Sequence, residues 1–444
     1  MKILYVTHQF LPDYVAGTEV LTWQTAREFG RRLHNVFVFT GFKAASALEC
    51  RTPCDYYEYD DIPIYRVLYY PDSAPGLQNP MRDEYLNPVA YDCFTRAVNA
   101  VKPDIVHCYH LHRLSVSMVD LCRRLSIPVV FTATDYWMLC PTCQLLLKNG
   151  SLCKGPDRHM TNCLKHMAAL AGKSKILSKI PDWLLSILMK MVKSDLLITK
   201  GYGPLVDALL KRPRTIREAM DMVDRILVPT DFMKQLLSGF GIETGKIIQI
   251  PFGVQYHPVP AVSEAKGQQL RIGFIGTLYD HKGAHVLCEA IRLVPRDLSL
   301  TVRIYGSEKL FPDYVKKLKQ IVKDDYRICF AGTFPPDRLQ NILCDLDVLI
   351  VPSLWYENTP LVIHCAQAAR VPVVASDLEG LNELVIDGEN GFLFERGNPE
   401  QLAKIIERLC LDRHLVANMG KRTKPPMSMT AYGDRLEKIY RELL

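Results

Sequence analysis

Short β-branched runs alternate with amphipathic stretches in two series along the chain, and this pattern constrains the fold more than any other feature. The first series opens with ILYVT and ends at VVFTAT. The second opens with RIGFIG at Arg271 and ends at PVVAS. Strands that alternate with helices at this interval predict parallel, doubly wound sheets covered by helices on both faces. The sequence therefore predicts an α/β fold with two Rossmann-like halves.

The chain length of 444 residues is sufficient for two or three domains. We expect an N-terminal Rossmann-like domain over residues 1–254 and a C-terminal one over residues 270–425. The stretch 255–269 is polar, contains Pro and Gly and has no periodicity, which predicts a linker. The last residues, 426–444, are predicted to form a terminal helix.

Positive charge is concentrated in one segment. Residues 165–217 contain eleven basic and three acidic residues, whereas the whole chain has a formal net charge of only +6. This distribution predicts an anionic surface as a partner and argues against a nucleic-acid binder. Within the segment, residues 181–193 combine an apolar body and Trp183 with lysines at the margins. Such a helix either lies in a membrane interface or packs on its own domain with its lysines in water.

The sequence starts with MKILYVTHQF, in which the apolar run is too short for the core of a signal peptide. This segment is predicted to be the first strand. No apolar run approaches the roughly 18 residues of a membrane span. We therefore expect a cytoplasmic protein, peripheral on the inner face of the membrane if the basic segment binds lipid. Its fourteen cysteines are expected to be reduced thiols.

Ligands of an open parallel sheet bind at the carboxyl ends of the strands, so the residues that follow each strand are candidate site residues. Five such places lie at residues 14–19, 107–112, 276–283, 353–360 and 376–383. The small-residue turn at Gly17 opens a helix, where backbone N–H groups can approach a phosphate or sugar oxygen. The alternative interpretation of this turn is tight packing between the strand and the helix, without a ligand. Neither this turn nor GFIG is GxGxxG, which argues against a dinucleotide oxidoreductase.

The other strand ends carry side chains suited to specific chemistry. Lys282 precedes Gly283 at a helix N-terminus, where it can neutralise a departing diphosphate or remain a solvated surface lysine. Glu357 can accept hydrogen bonds from sugar hydroxyls, and the amides of the helix after it can face phosphate oxygens. Histidines at 107, 110 and 112 can bind a metal, face a reacting sugar or be structural.

Four segments resemble the family-4 retaining glycosyltransferases of the GT-B fold, also described as glycosyl transferases group 1. They are VTHQFLPDYVAGTE, GTLYDHKG, PSLWYENTPLVI and PVVASDLEGLNELVIDGENGFLF. The resemblance covers both halves and implies two Rossmann-like domains facing a cleft, with the C-terminal helix crossing back to the N-domain. It implies a nucleotide-diphosphate sugar bound mostly by the C-terminal domain and a glycan or lipid-linked acceptor bound mostly by the N-terminal one. It also implies transfer with retention of configuration and no metal or other cofactor.

The same resemblance assigns roles to individual residues. Catalysis is implied for His110, Lys282 and Glu357, of which Glu357 is the first glutamate of an E-x7-E motif. Donor binding is implied for Gly17, Gly276, Thr277, Lys282, Glu357, Asn358, Thr359, Pro360, Leu361, Cys365 and Glu383. Asp135 and Tyr136 are candidates for the acceptor side.

The chain also departs from the family pattern. The second glutamate of E-x7-E, which normally holds the ribose, is replaced by Cys365, and Thr277 occupies a position where Arg is common. Loss of one ribose hydrogen-bond pair costs about 1–3 kcal/mol of binding. An active glycosyltransferase remains the first hypothesis. A non-catalytic GT-B scaffold of the same pathway and a sugar-nucleotide epimerase or hydrolase are the alternatives.

A cysteine-containing loop over residues 140–166 lies outside the common pattern. Cys140 and Cys143 form a CxxC pair, and Cys153 and Cys163 follow at intervals of ten residues. This spacing resembles a structural zinc loop, although the usual second CxxC pair is absent. Packed reduced thiols and a disulfide are the alternative interpretations.

Overall fold

The structure, a computed structural model, describes residues 1–44, 52–69, 79–172, 177, 180–193, 203–257, 267–323 and 325–444. For residues 188, 190, 192 and 193 it describes the backbone only. Several predicted features therefore lie outside the described residues, namely most of the linker 255–269 and the side chains of Lys173, Lys175, Lys179, Lys190, Lys193 and Lys200. No described helix is both long enough and apolar enough to cross a membrane.

The chain divides into two compact units. One comprises Met1–Pro251 together with Met429–Leu444, and the other comprises Phe252–Ser428. Each unit contains its own sheet and is described by itself. The domain boundaries expected from the sequence stay a prediction.

The first unit is built on an eight-stranded sheet in the order β3-β4-β2-β1-β5-β6-β7-β8. Its strands are β1 (Lys2–Thr7), β2 (Asn35–Lys43), β3 (Cys54–Tyr59), β4 (Ile62–Tyr69), β5 (Ile105–Cys108), β6 (Val129–Thr132), β7 (Arg225–Val228) and β8 (Ile247–Gln249). All neighbours pair in parallel except β3 and β4. The central strands β5 and β6 are fully buried, as expected for a sheet covered on both faces.

The antiparallel strand β3 differs from the expected all-parallel sheet. Asp60 and Asp61 connect β3 to β4 with φ angles of 56° and 60°. Two successive left-handed residues make the tight connection that suits a two-residue β-hairpin, and Asp tolerates this conformation better than most residues. The turn therefore returns the chain antiparallel at the edge of the sheet.

Eight described α-helices of the first unit precede β8 along the chain. They are α1 (Gly17–Arg31), α2 (Pro80–Asp83), α3 (Pro88–Val101), α4 (Ser117–Arg124), α5 (Thr161–Leu170), α6 (Asp182–Lys193), α7 (Gly203–Asp221) and α8 (Asp231–Gly239). Asn87 caps α3 by accepting a hydrogen bond from the Ala90 N–H, and Thr230 caps α8 in the same way through the Met233 N–H.

The second unit contains a six-stranded, all-parallel sheet in the order β11-β10-β9-β12-β13-β14. Its strands are β9 (Leu270–Ile275), β10 (Leu300–Tyr305), β11 (Ile328–Gly332), β12 (Val348–Val351), β13 (Val373–Ser376) and β14 (Gly391–Phe394). Its α-helices are α9 (Ala284–Leu293), α10 (Pro312–Ile321), α11 (Leu339–Cys344), α12 (Leu361–Ala368), α13 (Pro399–Leu411) and α14 (Arg413–Arg422). The two sheets confirm the predicted α/β fold with two Rossmann-like halves.

The last helix, α15 (Met429–Leu443), belongs to the first unit. Arg32, which follows α1, donates hydrogen bonds to the carboxylates of Asp434 and Glu437. On the buried face of α15, the Tyr440 hydroxyl contacts Nδ1 of His107 on β5. The helix therefore completes the core beside the middle of the eight-stranded sheet.

A disulfide joins Cys54 at the start of β3 to Cys93 on α3. The expectation that every cysteine is a reduced thiol is wrong for this pair, because the hairpin brings β3 next to α3 with the two Cα atoms 5.6 Å apart. Free thiols in the described ranges include those of Cys108, Cys122, Cys140, Cys143, Cys153, Cys163, Cys288, Cys329, Cys365 and Cys410.

Candidate functional site

The turn after β9 carries Lys282, the lysine that is predicted to bind the diphosphate. Asp280–Lys282 forms a single 3₁₀ turn, and Gly283 follows with φ of 70° before α9 begins. A Cβ atom at Gly283 would lie 1.8 Å from the carbonyl oxygen of Pro352, so only glycine fits there. The Leu354 N–H also donates to the carbonyl oxygen of His281 at 2.8 Å. These contacts pack the Lys282 turn against the loop that follows β12.

Lys282 and Glu357, both predicted site residues, form an ion pair in this position. The Lys282 Nζ lies 2.7 Å from Glu357 Oε1. Ser353 Oγ donates to the same oxygen at 2.7 Å and Trp355 Nε1 at 2.8 Å. Burial raises the pKa of Glu357, but the ammonium and the hydrogen bonds outweigh burial and hold that pKa below its usual value. The glutamate is therefore an anion held by three donors.

A second glycine fixes the loop that carries Glu357. Gly380, after β13, has φ of 86°, and a Cβ there would lie 1.8 Å from the Glu357 carbonyl oxygen. The predicted donor residues Asn358 and Thr359 are buried in this loop. Thr359 Oγ1 lies 2.8 Å from His364 Nε2, and burial lowers the pKa of His364 to about 4, so the imidazole is neutral. The structure therefore brings the loops after β9, β12 and β13 together.

The remaining predicted donor residues surround this cluster or lie at its margin. Pro360 directly precedes α12 and Leu361 is its first residue. Gly276 is half-buried and Thr277 exposed after β9, and Glu383 is exposed after β13. Cys365 lies on α12, where burial raises the pKa of its thiol to about 12 and keeps it neutral. The thiol therefore offers no charge to a ligand.

Sequence reasoning did not single out three residues of this cluster. Ser353 and Trp355 precede Glu357 by four and two positions within the motif PSLWYENTPLVI, and that spacing was the available signal. The ring of His281 lies 4.9 Å from that of Trp355, measured between centroids. Burial and the charge of Lys282 lower the pKa of His281 to about 4. An uncharged imidazole therefore adjoins the lysine.

The first unit contains a second cluster at the end of β5. His110 Nε2 lies 2.8 Å from Asp135 Oδ2, and the His112 N–H donates to His110 Nδ1 at 3.0 Å. Since Nδ1 accepts from a backbone N–H, the ring proton resides on Nε2 and is donated to Asp135. Asp135 Oδ1 in turn accepts from the Trp137 N–H at 2.8 Å. The predicted acceptor residue Asp135 therefore orients the predicted catalytic histidine.

His8, which follows β1, is a member of this cluster that sequence reasoning missed. Its ring centroid lies 4.1 Å from that of His110 and 6.2 Å from that of His112. Burial and the neighbouring histidines lower the pKa values of His8 and His112 well below the usual value. The only available signal was the position of His8 at a strand end in VTHQF. Two neutral imidazoles thus flank His110.

Two other predictions for the first unit have different outcomes. Gly17 is the first residue of α1, and a Cβ there would meet nothing within 4 Å, so space exists for a ligand to approach its backbone. Tyr136 is only 1% exposed, and its ring packs 6.2 Å from that of Phe232. Tyr136 is therefore a buried residue, and its place on the acceptor side stays a prediction.

The described residues contain one group of side chains close enough to hold a metal. His110, Asp135 and Cys143 place one potential ligand atom each within 4.8 Å of one another. The hydrogen bond from the His112 N–H keeps the proton on His110 Nε2, which argues against ligation through that atom. The thiols of Cys140, Cys143, Cys153 and Cys163 do not form such a group. The arrangement therefore gives no support to the zinc hypothesis.

The chain is similar to known proteins over both units. Residues 16–253 match the family described as Glycosyl transferase 4-like domain, and residues 269–412 match Glycosyl transferases group 1. YtcC of Bacillus subtilis is 27% identical over 255 residues, which are 51% of this chain and 62% of that protein. The D-inositol 3-phosphate glycosyltransferase of Corynebacterium diphtheriae is 30% identical over 179 residues, 38% of this chain and 42% of that enzyme. The chain thus spans less than two thirds of either relative.

A solved structure supports the fold. Anabaena HepE in complex with UDP and glucose has a TM-score of 0.64 and 16% identity to this chain, with 100% of both chains covered. At that identity the likeness concerns the fold alone. Together with the family match over more than half of the chain, it confirms the resemblance seen in the motifs. The chain belongs to the group 1, or family-4, glycosyltransferases of the GT-B fold.

Proposed function

We propose that the protein transfers a sugar from a nucleotide-diphosphate sugar to a glycan or lipid-linked acceptor, with retention of configuration and without a metal. Surface polysaccharide or glycolipid assembly is the proposed pathway class. The observation that carries the proposal is the pair of Lys282 and Glu357 on two converging strand-end loops. At this position a lysine suits the diphosphate of a nucleotide sugar, and a carboxylate suits the hydroxyls of its sugar.

The geometry suggests how the pair acts. Lys282 can stabilise the negative charge that develops on the leaving diphosphate, and such stabilisation is often the largest contribution to the rate. Among the described residues, the three donors to Glu357 all act on Oε1, so Oε2 is the oxygen proposed to accept from a sugar hydroxyl. In the first unit, we propose that His110 faces the transferred sugar and that Asp135 lies on the acceptor side. No flanking pair of carboxylates is required, unlike in a retaining hydrolase.

The donor is tested by binding the purified protein to UDP, GDP, ADP and TDP sugars in the presence of EDTA. UDP sugars are the first choice, because HepE was solved with UDP and glucose. A ligand at 100 times its Kd stabilises the native protein by about 2.7 kcal/mol, which a thermal shift detects. Restoring the carboxylate with Cys365→Glu is expected to tighten binding of the responding donor by about 1–3 kcal/mol.

The same measurement separates the alternatives. A non-catalytic scaffold, the second candidate favoured by Cys365, predicts no response to any nucleotide sugar. An epimerase or hydrolase predicts that the donor is consumed at the same rate with and without an acceptor. Transfer that depends on the acceptor and persists in EDTA supports the proposed reaction.

We also propose that α6 attaches the protein peripherally to the cytoplasmic, anionic face of a membrane. One face of the helix is buried, with Leu185 and Met189 packed in a cluster with Leu209 of α7. The side chains of Trp183 and Ile187 are 66% and 45% exposed. The positive charge of residues 165–217 favours anionic lipid. This combination is typical of a helix that lies in the membrane interface.

Replacing Trp183 and Ile187 together by Ser is expected to weaken sedimentation with phosphatidylglycerol vesicles by about tenfold or more. The reason is that each exposed apolar side chain loses on the order of 1.5 kcal/mol of burial in the interface. Leu310→Ser, at a 65% exposed position of the second unit, is the matched control and should bind like the wild type. Equal sedimentation of the double variant and the wild type would exclude α6 as the attachment site.

A further inference from the structure

Arg212 is a fully buried cation in the first unit. It lies on α7, within the basic segment 165–217, and has 0% exposed surface. Its Nε and Nη2 donate to the two carboxylate oxygens of Glu84, both at 3.0 Å. The two side chains therefore form a bidentate, buried ion pair.

The pair also holds the loop that follows β6. Arg212 donates to the backbone carbonyl oxygens of Trp137 and Met138. The indole Nε1 of Trp137 donates to Glu84, and the guanidinium carbon of Arg212 lies 5.4 Å from the centre of the indole ring. The carboxylate and the guanidinium thus engage both the backbone and the side chain of Trp137.

Trp137 connects this pair to the histidine cluster. Its backbone N–H donates to Asp135 Oδ1 at 2.8 Å, and the other carboxylate oxygen of Asp135 accepts from His110 Nε2 at 2.8 Å. The rings of Trp137 and His110 lie 5.6 Å apart between centroids. A continuous series of contacts therefore runs from Arg212 to the ring of His110.

We propose that Arg212 and Glu84 are positioning residues, which hold the loop so that Asp135 fixes the tautomer and orientation of His110. The catalytic part of this inference rests on the proposed function of His110. A buried ion pair alone is a weak reason for such an arrangement, because apolar residues of similar volume often replace one without loss of stability. Apolar residues cannot donate to the two loop carbonyls, and this is the contribution that only Arg212 makes here.

The test compares Arg212→Met with the double variant Glu84→Met and Arg212→Met. The single variant leaves Glu84 buried without its cation and is expected to unfold at a lower temperature. The double variant removes both charges and is expected to unfold at a higher temperature than the single variant. Its kcat for sugar transfer should nevertheless fall by about tenfold or more, because small displacements of an orienting group are costly. KM for the nucleotide sugar should change less than kcat, because Lys282 and Glu357, which are proposed to bind the donor, belong to the second unit.

The tautomer of His110 can be measured independently of activity by 15N NMR of histidine-labelled protein. The variant His110→Gln assigns the signal. The wild type should show the Nε2–H form, and the double variant a mixture of tautomers. The matched control removes the exposed pair on the same helix with Arg214→Met and Glu218→Met, and it should match the wild type in both readouts. A folded double variant with wild-type kcat and an unchanged tautomer would overturn the proposal. A protein with no transfer activity but with the expected tautomer change would instead refute the proposed function alone.

Discussion

Lys282→Met is expected to lower the rate of sugar transfer by about a hundredfold or more, because the charge of the leaving diphosphate loses its nearest cation. The substitution should also lower the free energy of unfolding by about 3–5 kcal/mol at neutral pH, since Glu357, only 5% exposed, remains as an unpaired anion. Steady-state transfer and chemical denaturation measure the two effects. Methionine keeps most of the volume of the lysine stem, so neither effect comes from a cavity.

The pH dependence gives this prediction a second check. With Lys282 present, the pKa of Glu357 is lowered, so its contribution to stability is complete above the unfolded pKa and is lost as pH falls through the folded pKa. Without Lys282, burial raises that pKa, and protonation relieves the buried charge. The stability deficit of Lys282→Met should therefore shrink as the pH is lowered from 7 to about 4.

The double variant Lys282→Met and Glu357→Gln is the control for folding. It should regain most of the lost stability, because no unpaired charge remains, but it should not regain transfer. Wild-type transfer by Lys282→Met would contradict the role given to the lysine, whatever its stability.

The second large effect is expected at Tyr440 on α15. Tyr440→Ala should lower the free energy of unfolding of the first unit by about 3–5 kcal/mol, the usual cost of removing a large buried side chain. The ring is completely buried and lies 5.2 Å from that of Phe29 between centroids, and its hydroxyl contacts His107. Hydrogen exchange of the β1 and β5 amides, measured during denaturation, reports the loss of stability in this unit.

Two substitutions calibrate that result. Tyr440→Phe keeps the ring and should cost about 1–3 kcal/mol, because the hydrogen bond between its hydroxyl and His107 is lost. Leu444→Ala, at a position that is 60% exposed, should be close to neutral. An unfolding curve of Tyr440→Ala equal to that of the wild type would mean that α15 does not stabilise the sheet.

The fold was largely predictable because its signal is local. Buried parallel strands appear as short β-branched runs, and amphipathic helices appear between them, so β1, β2 and β9 could be placed from a few residues each. The antiparallel strand β3 was missed because its direction depends on the left-handed turn at Asp60 and Asp61. Such a turn is usually marked in a sequence by glycine, and neither of these two positions is a glycine.

The site was predictable residue by residue, but its contacts were not. Lys282 and Glu357 follow strands of one sheet, which is sufficient to select them as candidates. Their ion pair depends on how closely two loops approach, and that approach requires glycine at 283 and 380. The burial of Arg212 could not be predicted for a similar reason, since it depends on Glu84, which is remote in sequence. Local charge patterns carry no information about such a partner.

The return of α15 to the first unit affects the order in which the protein is completed during translation. Residues 429–444 are synthesised only after the whole of the continuous second unit, residues 252–428. Until then β5 lacks the cover of Tyr440, and the buried face that α15 occupies stays open to other contacts. The second unit, by contrast, has all its residues when Ser428 leaves the ribosome. The half of the protein that is translated first is therefore the half that is finished last, and its uncovered apolar face is exposed longest during synthesis.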